Sequence, residues 1–307
     1  MRIGVAGVPG AWSTERLRGA LEAHGAESLA FALADCTLDL ATGAVTGENQ
    51  DLGALDAVVV KKMGDSTDPV APTRVHLLRH LECRGVRIFS KADAIAEVND
   101  RYHMTLRLVE AGVPTPRTII TESLDDAAAA VERFGRAVVK PLFTSKGRGM
   151  VLLAREQTYR LRLRHWQHQW RMPFYIQEFV PHAGRDIGVT VLAGRTLGAY
   201  YRVRTRDAWL TTTAAGGRYE PCEVTTDLER LALRAAGVFD LDFTGVDLVE
   251  TAGGYLVYEV SAFGGFSGLW RARGIDAADA YAEHVLRCLS DAGAHERARQ
   301  HPTTLQV

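Results

Sequence analysis

Apolar residues in this chain fall into short runs of β-branched and aliphatic side chains, separated by longer stretches of helical period. "RIGVAG" (2–7) predicts a buried strand. "VPGAWSTERLRGALEAHG" then places apolar positions at helical spacing, with Ser13 or Thr14 as N-cap and Gly25 as a stop. "SLAFALA" and "LDAVVVKKMG" predict further strands, "TRVHLLRHLECRG" a helix ending at Gly85, and "VRIFS" a return to the sheet. Strands alternating with helices imply a parallel sheet, so residues 1–90 are expected to form a small α/β domain.

The pattern changes after that. "KADAIAEVNDRYHMTLRLVEAGVPTPRTII" reads as a helix stopped at Gly112, then a proline-marked entry into a strand. "SLDDAAAAVERFG" is an amphipathic helix, and "RAVVKPL" and "GMVLLA" are strands on either side of a polar loop. A helix rich in arginine and tryptophan leads into "FYIQEFV", which makes 91–180 an α+β unit. From 181 to 295 strands dominate ("DIGVTVLAG", "RTLGAYYRVR", "GGYLVYEVS"), and the helices "TDLERLALRAAGVF" and "DAADAYAEHVLRCLSDAG" flank the last of them. Residues 296–307 form a polar tail that is expected to fray.

Composition changes this picture little. With 307 residues, two or three domains are expected, and 47% apolar with 24% charged residues is ordinary for a globular protein. A net charge of −1 argues against bulk attraction to nucleic acid or an anionic membrane. Cys36, Cys83, Cys222 and Cys288 lie far apart, which suggests neither a zinc site nor a disulfide framework and fits reduced thiols in a cytoplasmic protein. The first residues read as a strand rather than a signal peptide, and no run approaches the roughly 20 apolar residues of a membrane span.

The loop "PLFTSKGRG" (141–149) is where candidate chemistry begins. It is not a Walker A motif, because no glycine precedes Lys140 or Lys146 at the required spacing. As a glycine-bearing hairpin loop it allows close backbone approach, with Lys146 and Arg148 supplying charge for a polyphosphate. Lys140 sits in an apolar strand and needs an anionic partner. "GVDLVE" puts Asp247 on a strand, and Glu259 and Ser261, two apart in "YEVSAF", share one strand face. Oxygen ligands of that kind suit Mg2+ bridging phosphates. "YIQEFV" offers an extended backbone for an adenine edge. In "RLRLRHWQHQWR", Arg160, Arg162 and Arg164 do not share a helical face, so a solvated helix packing its tryptophans inward is favoured over a nucleic-acid site. His165 and His168 lack a third metal ligand.

The order "VVKP…SKGRGM…YIQEFV…GRDIGVTVLAG…YYRVR…GG…FTGVDLVE…YLVYEVSAFGG" resembles the ATP-grasp superfamily, and within it the RimK and glutathione synthetase-type ligases, over residues 56–288. A narrower likeness is to the ATP-grasp member of the GAK system. The resemblance implies an ATP-grasp fold, α/β and α+β, behind an N-terminal Rossmann-like pre-ATP-grasp domain. It implies contact of Lys140 with the α-phosphate and of Lys146, Gly147 and Gly149 with the phosphates. Gln177, Glu178, Phe179 and Val180 would form the adenine hinge, and Asp186 would bond ribose. Arg202 would lie near the transferred phosphate. Asp247, Glu259 and Ser261 would bind Mg2+, two ions with Glu259 bridging, Mn2+ being a substitute.

Departures from the family pattern are Ser261 and Thr212, each where asparagine is common, and Arg101, where lysine is common. Gly188 stands where some relatives carry an arginine that meets acidic substrate, which weakens glutamate as the added amino acid. Lys61, Lys62 and Arg204 are candidates for holding substrate, and for the lysine pair a water-facing loop is an equal reading. The implied reaction is ATP-dependent joining of a carboxylate to an amine or thiol through an acylphosphate, releasing ADP and phosphate. The alternatives are an ATP-grasp kinase acting on a hydroxyl and a non-catalytic ATP-binding partner. Implied partners are small-molecule or peptide carboxylates and amines, without nucleic acid or membrane, and a homo-oligomer is compatible.

Overall fold

The computed structural model describes residues 1–64, 68, 70–205, 208–212 and 216–300. Its first part is a parallel sheet. Strand β1 (Arg2–Ala6) leads to α1 (Trp12–Ala23) and β2 (Glu27–Phe31). A small antiparallel ribbon follows, made of β3 (Thr37–Leu38), β4 (Val45–Gly47) and β5 (Gln50–Asp51). Then come β6 (Ala57–Val60), α2 (Val75–Cys83) and β7 (Arg87–Phe89), giving the parallel order β2-β1-β6-β7.

Two local expectations change. Helix α1 starts earlier than the serine and threonine suggest: Ala11 is its extended N-cap residue, and Thr14 is buried inside the helix against Gly7. The single helix expected after residue 91 is two, α3 (Ala92–Asn99) and α4 (Arg101–Glu110). Asp100 breaks it by leaving the helical region and accepting from the Tyr102 and His103 amides at 2.9 and 3.4 Å. That cap starts α4 at Arg101, a residue the site needs.

The middle sheet is antiparallel. It contains β8 (Thr118–Thr121), then α5 (Leu124–Phe134), β9 (Arg136–Lys140), β10 (Val151–Ala154), α6 (Tyr159–Trp170) and β11 (Phe174–Glu178), in the order β10-β9-β11-β8. Strands β9 and β10 form the expected hairpin around 141–150. Helix α6 turns Leu163 and Trp166 inward, and Trp166 stacks on Phe174 at 5.5 Å.

The third sheet is also antiparallel: β12 (Arg185–Leu192), β13 (Arg195–Val203) and β14 (Arg218–Cys222), then, after α7 (Thr226–Ala236), β15 (Phe243–Thr251) and β16 (Gly254–Ser261). Strand β14 was not anticipated; "RYEPC" contains a proline, which an edge strand tolerates. One face, with Ile187, Val189, Val246 and Leu248, joins a core that runs through Ile95, Val98 and Met104 to Val58 and Ile88 of the first sheet. Helix α8 (Ser267–Arg273) follows, and α9 (Ala277–Gln300) runs back to α1 and buries Tyr281 and Val285 with Ile3, Leu17 and Leu21. Helix continues to Gln300 through the segment expected to fray, and 301–307 lie outside the described residues. No helix among the described residues is long and apolar enough to cross a membrane.

Candidate active site

The face of the third sheet opposite the Ile187 and Val246 side carries one cross-strand row. Tyr200 on β13 lies opposite Gly188 on β12, Gly188 opposite Asp247 on β15, and Asp247 opposite Glu259 on β16. One step along, Asp186 lies opposite Arg202. Directly opposed residues share a face, so these polar groups converge. A register shift beside Asp247 leaves Tyr258 without an opposing residue. This bulge lets Tyr258 and Glu259, adjacent in sequence, both face the site, which strict alternation forbids.

Arg202 binds Asp186 through two hydrogen bonds of 2.9 Å and reaches Asp247 Oδ2 at 2.9 Å. Burial raises the Asp247 carboxyl to about 6, with Arg202 opposing and the charges of Asp186 and Glu259 adding. From α4, the buried Arg101 donates to the carbonyls of Pro141 and Thr144 and reaches Glu259 Oε2 at 3.3 Å. It ties the glycine-rich loop to the carboxylate strand.

Lys140 enters from the middle sheet. Its Nζ donates to Gln177 Oε1 at 2.6 Å, and the Gln177 amide donates to Thr118 and to the Tyr175 hydroxyl. The Tyr175 hydroxyl in turn meets Thr105 Oγ1 at 2.8 Å. Burial draws the Lys140 pKa down to about 7, with Arg101 acting in the same direction and Glu259 and Asp247 against it. Its ammonium also stands 5.4 Å from the Tyr258 ring. Gln177 thus holds the lysine. Tyr175, Thr105 and Tyr258 are parts of the site that sequence reading missed, because their roles depend on pairing across distant segments.

The loop 141–150 is turned by Lys146, Gly147 and Gly149, all at positive φ. At Gly149 a side chain has no room: an added Cβ would come within 2.2 Å of Trp170 and 2.7 Å of Pro141. Trp166 Nε1 donates to the Gly149 carbonyl at 3.0 Å, so α6 supports the base of the loop. Lys146 is exposed. Thr212 lies beyond Gly147, whose added Cβ would be 3.6 Å from its methyl, and among the described residues its buried hydroxyl meets no hydrogen-bond partner.

At the hinge, Glu178 pairs with Arg117 at 2.7 and 2.6 Å, which lowers its pKa. The Glu178 and Phe179 amides donate to the carbonyls of Arg117 and Arg136 at 2.8 and 3.0 Å. Val180, the next residue, is buried, and among the described residues no protein acceptor meets its N–H.

A cleft of about 730 Å³, including its open mouth, adjoins the carboxylates and is lined by Lys62, Arg101, Phe143, Glu259, Ser261 and Phe263 among others. Lys62 thus faces the cleft, whereas the Lys61 amine is turned to the carbonyls of Phe263 and Gly264. Arg204 donates to the Ala208 carbonyl and packs beside Gly184, at the end of the β12–β13 pair. The space over Gly188 is filled by Tyr200, whose ring lies 2.5 Å from an added Cβ there.

The oxygen donors fit a magnesium ion. Among the described residues no three acidic, histidine or cysteine groups form a cage, but Mg2+ bound with a nucleotide takes one or two carboxylates and completes its shell with phosphates and water. A divalent cation beside Asp247 would favour the carboxylate that burial and the neighbouring acids disfavour.

A family model described as a RimK-like ATP-grasp domain matches residues 98–285. The tetrahydromethanopterin:alpha-L-glutamate ligase of Methanocaldococcus jannaschii is 30% identical over 243 residues, 77% of this chain and 81% of that protein. The RimK domain ATP-grasp protein of Sphaerobacter thermophilus, 22% identical, superposes with a TM-score of 0.73 over 92% of this chain and 98% of that one. The ATP-grasp ligase PsnB, solved with a minimal precursor, Mg and ADP, is 20% identical, with a TM-score of 0.69 over 94% and 98% of the two chains.

Proposed function

This chain belongs to the RimK-like ATP-grasp family, and on that premise we propose how its residues divide the work of joining a carboxylate to an amine. The protein is an ATP-dependent ligase that forms a carbon–nitrogen bond. The observation that carries the residue assignment is the convergence of Lys140 and Arg101 on the row containing Asp247 and Glu259.

Lys140, Lys146 and the amides around Gly147 and Gly149 bind the triphosphate. The Val180 N–H meets the adenine edge, since the amides of the two residues before it are already engaged. Asp186 faces ribose while it orients Arg202. Asp247, Glu259 and Ser261 would hold Mg2+, two ions with Mn2+ as a substitute, and the metal would offset charge on the β- and γ-phosphates. Arg202 keeps the Asp247 carboxylate in place beside the transferred group.

The acceptor enters the cleft with its carboxylate toward Lys62. A carboxylate oxygen bonds to the γ-phosphorus as the bond to ADP breaks, giving an acylphosphate. The amine nitrogen then bonds to the carbonyl carbon, phosphate leaves with the bonding pair, and the surplus proton passes to solvent. Positioning and charge neutralisation are what such a site supplies. Tyr200 covering Gly188 removes room for a cation there, which favours an added amine other than a dicarboxylic amino acid. The partners are a small-molecule or peptide carboxylate and an amine, in a cytoplasmic enzyme.

Titration calorimetry with AMPPNP and Mg2+ tests the assignment. Wild-type protein is expected to bind, and Lys140→Ala to bind about ten- to a hundredfold more weakly, the loss of a charge-assisted contact of roughly 1.5–3 kcal/mol. No heat at millimolar nucleotide would overturn it.

A further inference from the structure

Lys61 follows β6, with its backbone N–H on the Ala6 carbonyl at 2.7 Å, and its side chain crosses to the third sheet. Its Nζ donates to the carbonyls of Phe263 and Gly264 at 2.7 and 3.0 Å. The same ammonium stands 3.7 Å from the Phe266 ring centroid and 5.0 Å from that of Phe243. The residue is 7% exposed, and among the described residues no carboxylate is its partner. Burial alone draws its pKa down to about 7. A buried cation without an acidic partner is costly. Two carbonyls and two aromatic faces answer that cost here, with the ammonium's third hydrogen left for the rings.

The segment it holds follows directly from the carboxylate strand. Phe263 lines the cleft beside Ser261, and the Thr244 hydroxyl donates to the Ser261 carbonyl at 2.7 Å, fixing the segment's start. Gly264 has φ +44, and an added Cβ would lie 2.4 Å from Phe243, so the backbone passes too close to that ring for any side chain. Lys61 clamps this tight passage from the first sheet.

We infer that Lys61 is a positioning residue for the acceptor cleft: its ammonium fixes the Phe263–Gly264 segment to the first sheet, so that Phe263 stands as the cleft wall next to Ser261. The inference rests on the proposed use of this cleft by the carboxylate substrate. The ammonium touches neither nucleotide nor the reacting atoms. Its neighbour Lys62 keeps the cleft-facing position.

The test uses the full chain carrying 4-fluorophenylalanine at position 263, and in a second preparation at position 174, read by fluorine NMR. Phe174 is a remote control, fully buried in the middle sheet's core. Lys61→Met keeps an apolar stem and removes the charge. The 263 signal is expected to shift and to split or broaden in this variant while the 174 signal stays in place. Lys61→Arg should restore a single line at 263. AMPPNP·Mg2+ affinity should stay within about twofold of wild type. Should Lys61→Met fail to fold, Phe266→Leu, which removes the nearest ring and leaves the lysine, should disturb the 263 signal in the same way. An unchanged 263 signal would overturn the inference. Equal disturbance at 263 and 174 would also overturn it, making Lys61 a general strut. Loss of AMPPNP binding by the wild-type protein would instead count against the proposed function, independently of the fluorine result.

Discussion

With its pKa drawn down to about 7, the Lys140 amine is only about half charged at neutral pH, whereas beside a triphosphate it has to carry its proton. Nucleotide binding should therefore take up a proton near and above pH 7, and affinity should fall as pH rises, approaching tenfold per unit well above the pKa. The linkage to folding has the opposite sign. The unfolded lysine still holds its proton between about 7 and its ordinary value of 10.5, so the nucleotide-free fold gains stability across that window as pH rises. Calorimetry in two buffers of different ionisation enthalpy measures the uptake, and identical heats at pH 8 would contradict it. Arg202 makes a second prediction. Arg202→Met would leave the buried Asp186 and the half-buried Asp247 without their cation, so a loss of about 3–5 kcal/mol is expected in denaturant unfolding. Unchanged stability would mean that the acids find other partners. At Ser261 a hydroxyl replaces the longer reach of an amide oxygen, so Ser261→Asn should lower the Mg2+ concentration needed for turnover, and Glu259→Ala should abolish turnover. Lys140, Asp247 and Glu259 were legible in sequence as polar residues breaking apolar strands. Tyr258 was not, because its direction depends on a bulge that alternation cannot reveal.

The element on which the proposed nucleotide capture depends is the loop 141–150. Its hydrogen bonds include the local one from the Thr144 hydroxyl to the Arg148 carbonyl at 2.9 Å. Its base rests on Trp166 and Trp170. Limited proteolysis should cut near Lys146 or Arg148 without nucleotide and be suppressed by AMPPNP·Mg2+. Equal cutting in both states would mean that the loop does not close over phosphate. Gly149→Ala should weaken AMPPNP binding by forcing the Trp170 ring aside, with Gly147→Ala a milder case because its nearest neighbour is the movable Leu210 side chain. This hairpin was readable in advance from its glycines and flanking strands, and so was the inward packing of the tryptophan helix. The break at Asp100, where the aspartate side chain caps the amides of Tyr102 and His103, was not read. A continuous helical pattern across 91–112 hid it.

Over the whole molecule, three sheets bring together groups that are far apart in the chain. The core that unites the first and third sheets runs through α3 and α4, and α9 returns to the first sheet, so the cleft proposed for the acceptor is walled by segments near residues 62, 101, 143 and 263. No periodicity along the chain reports such distant packing, and only the ordered set of motifs pointed to it. The fold class was legible because each strand and helix could be read locally and their order matched a known family. The cleft's wall and the clamp on it were not, since both arise where the sheets meet. The most direct test of the account is what the enzyme makes. Protein, ATP and Mg2+ incubated with an extract of the source cells and followed by untargeted mass spectrometry should yield ADP, phosphate and a new species equal to two extract components joined with loss of water. A product that has gained one phosphoryl group, or ATP returned unchanged, would contradict it.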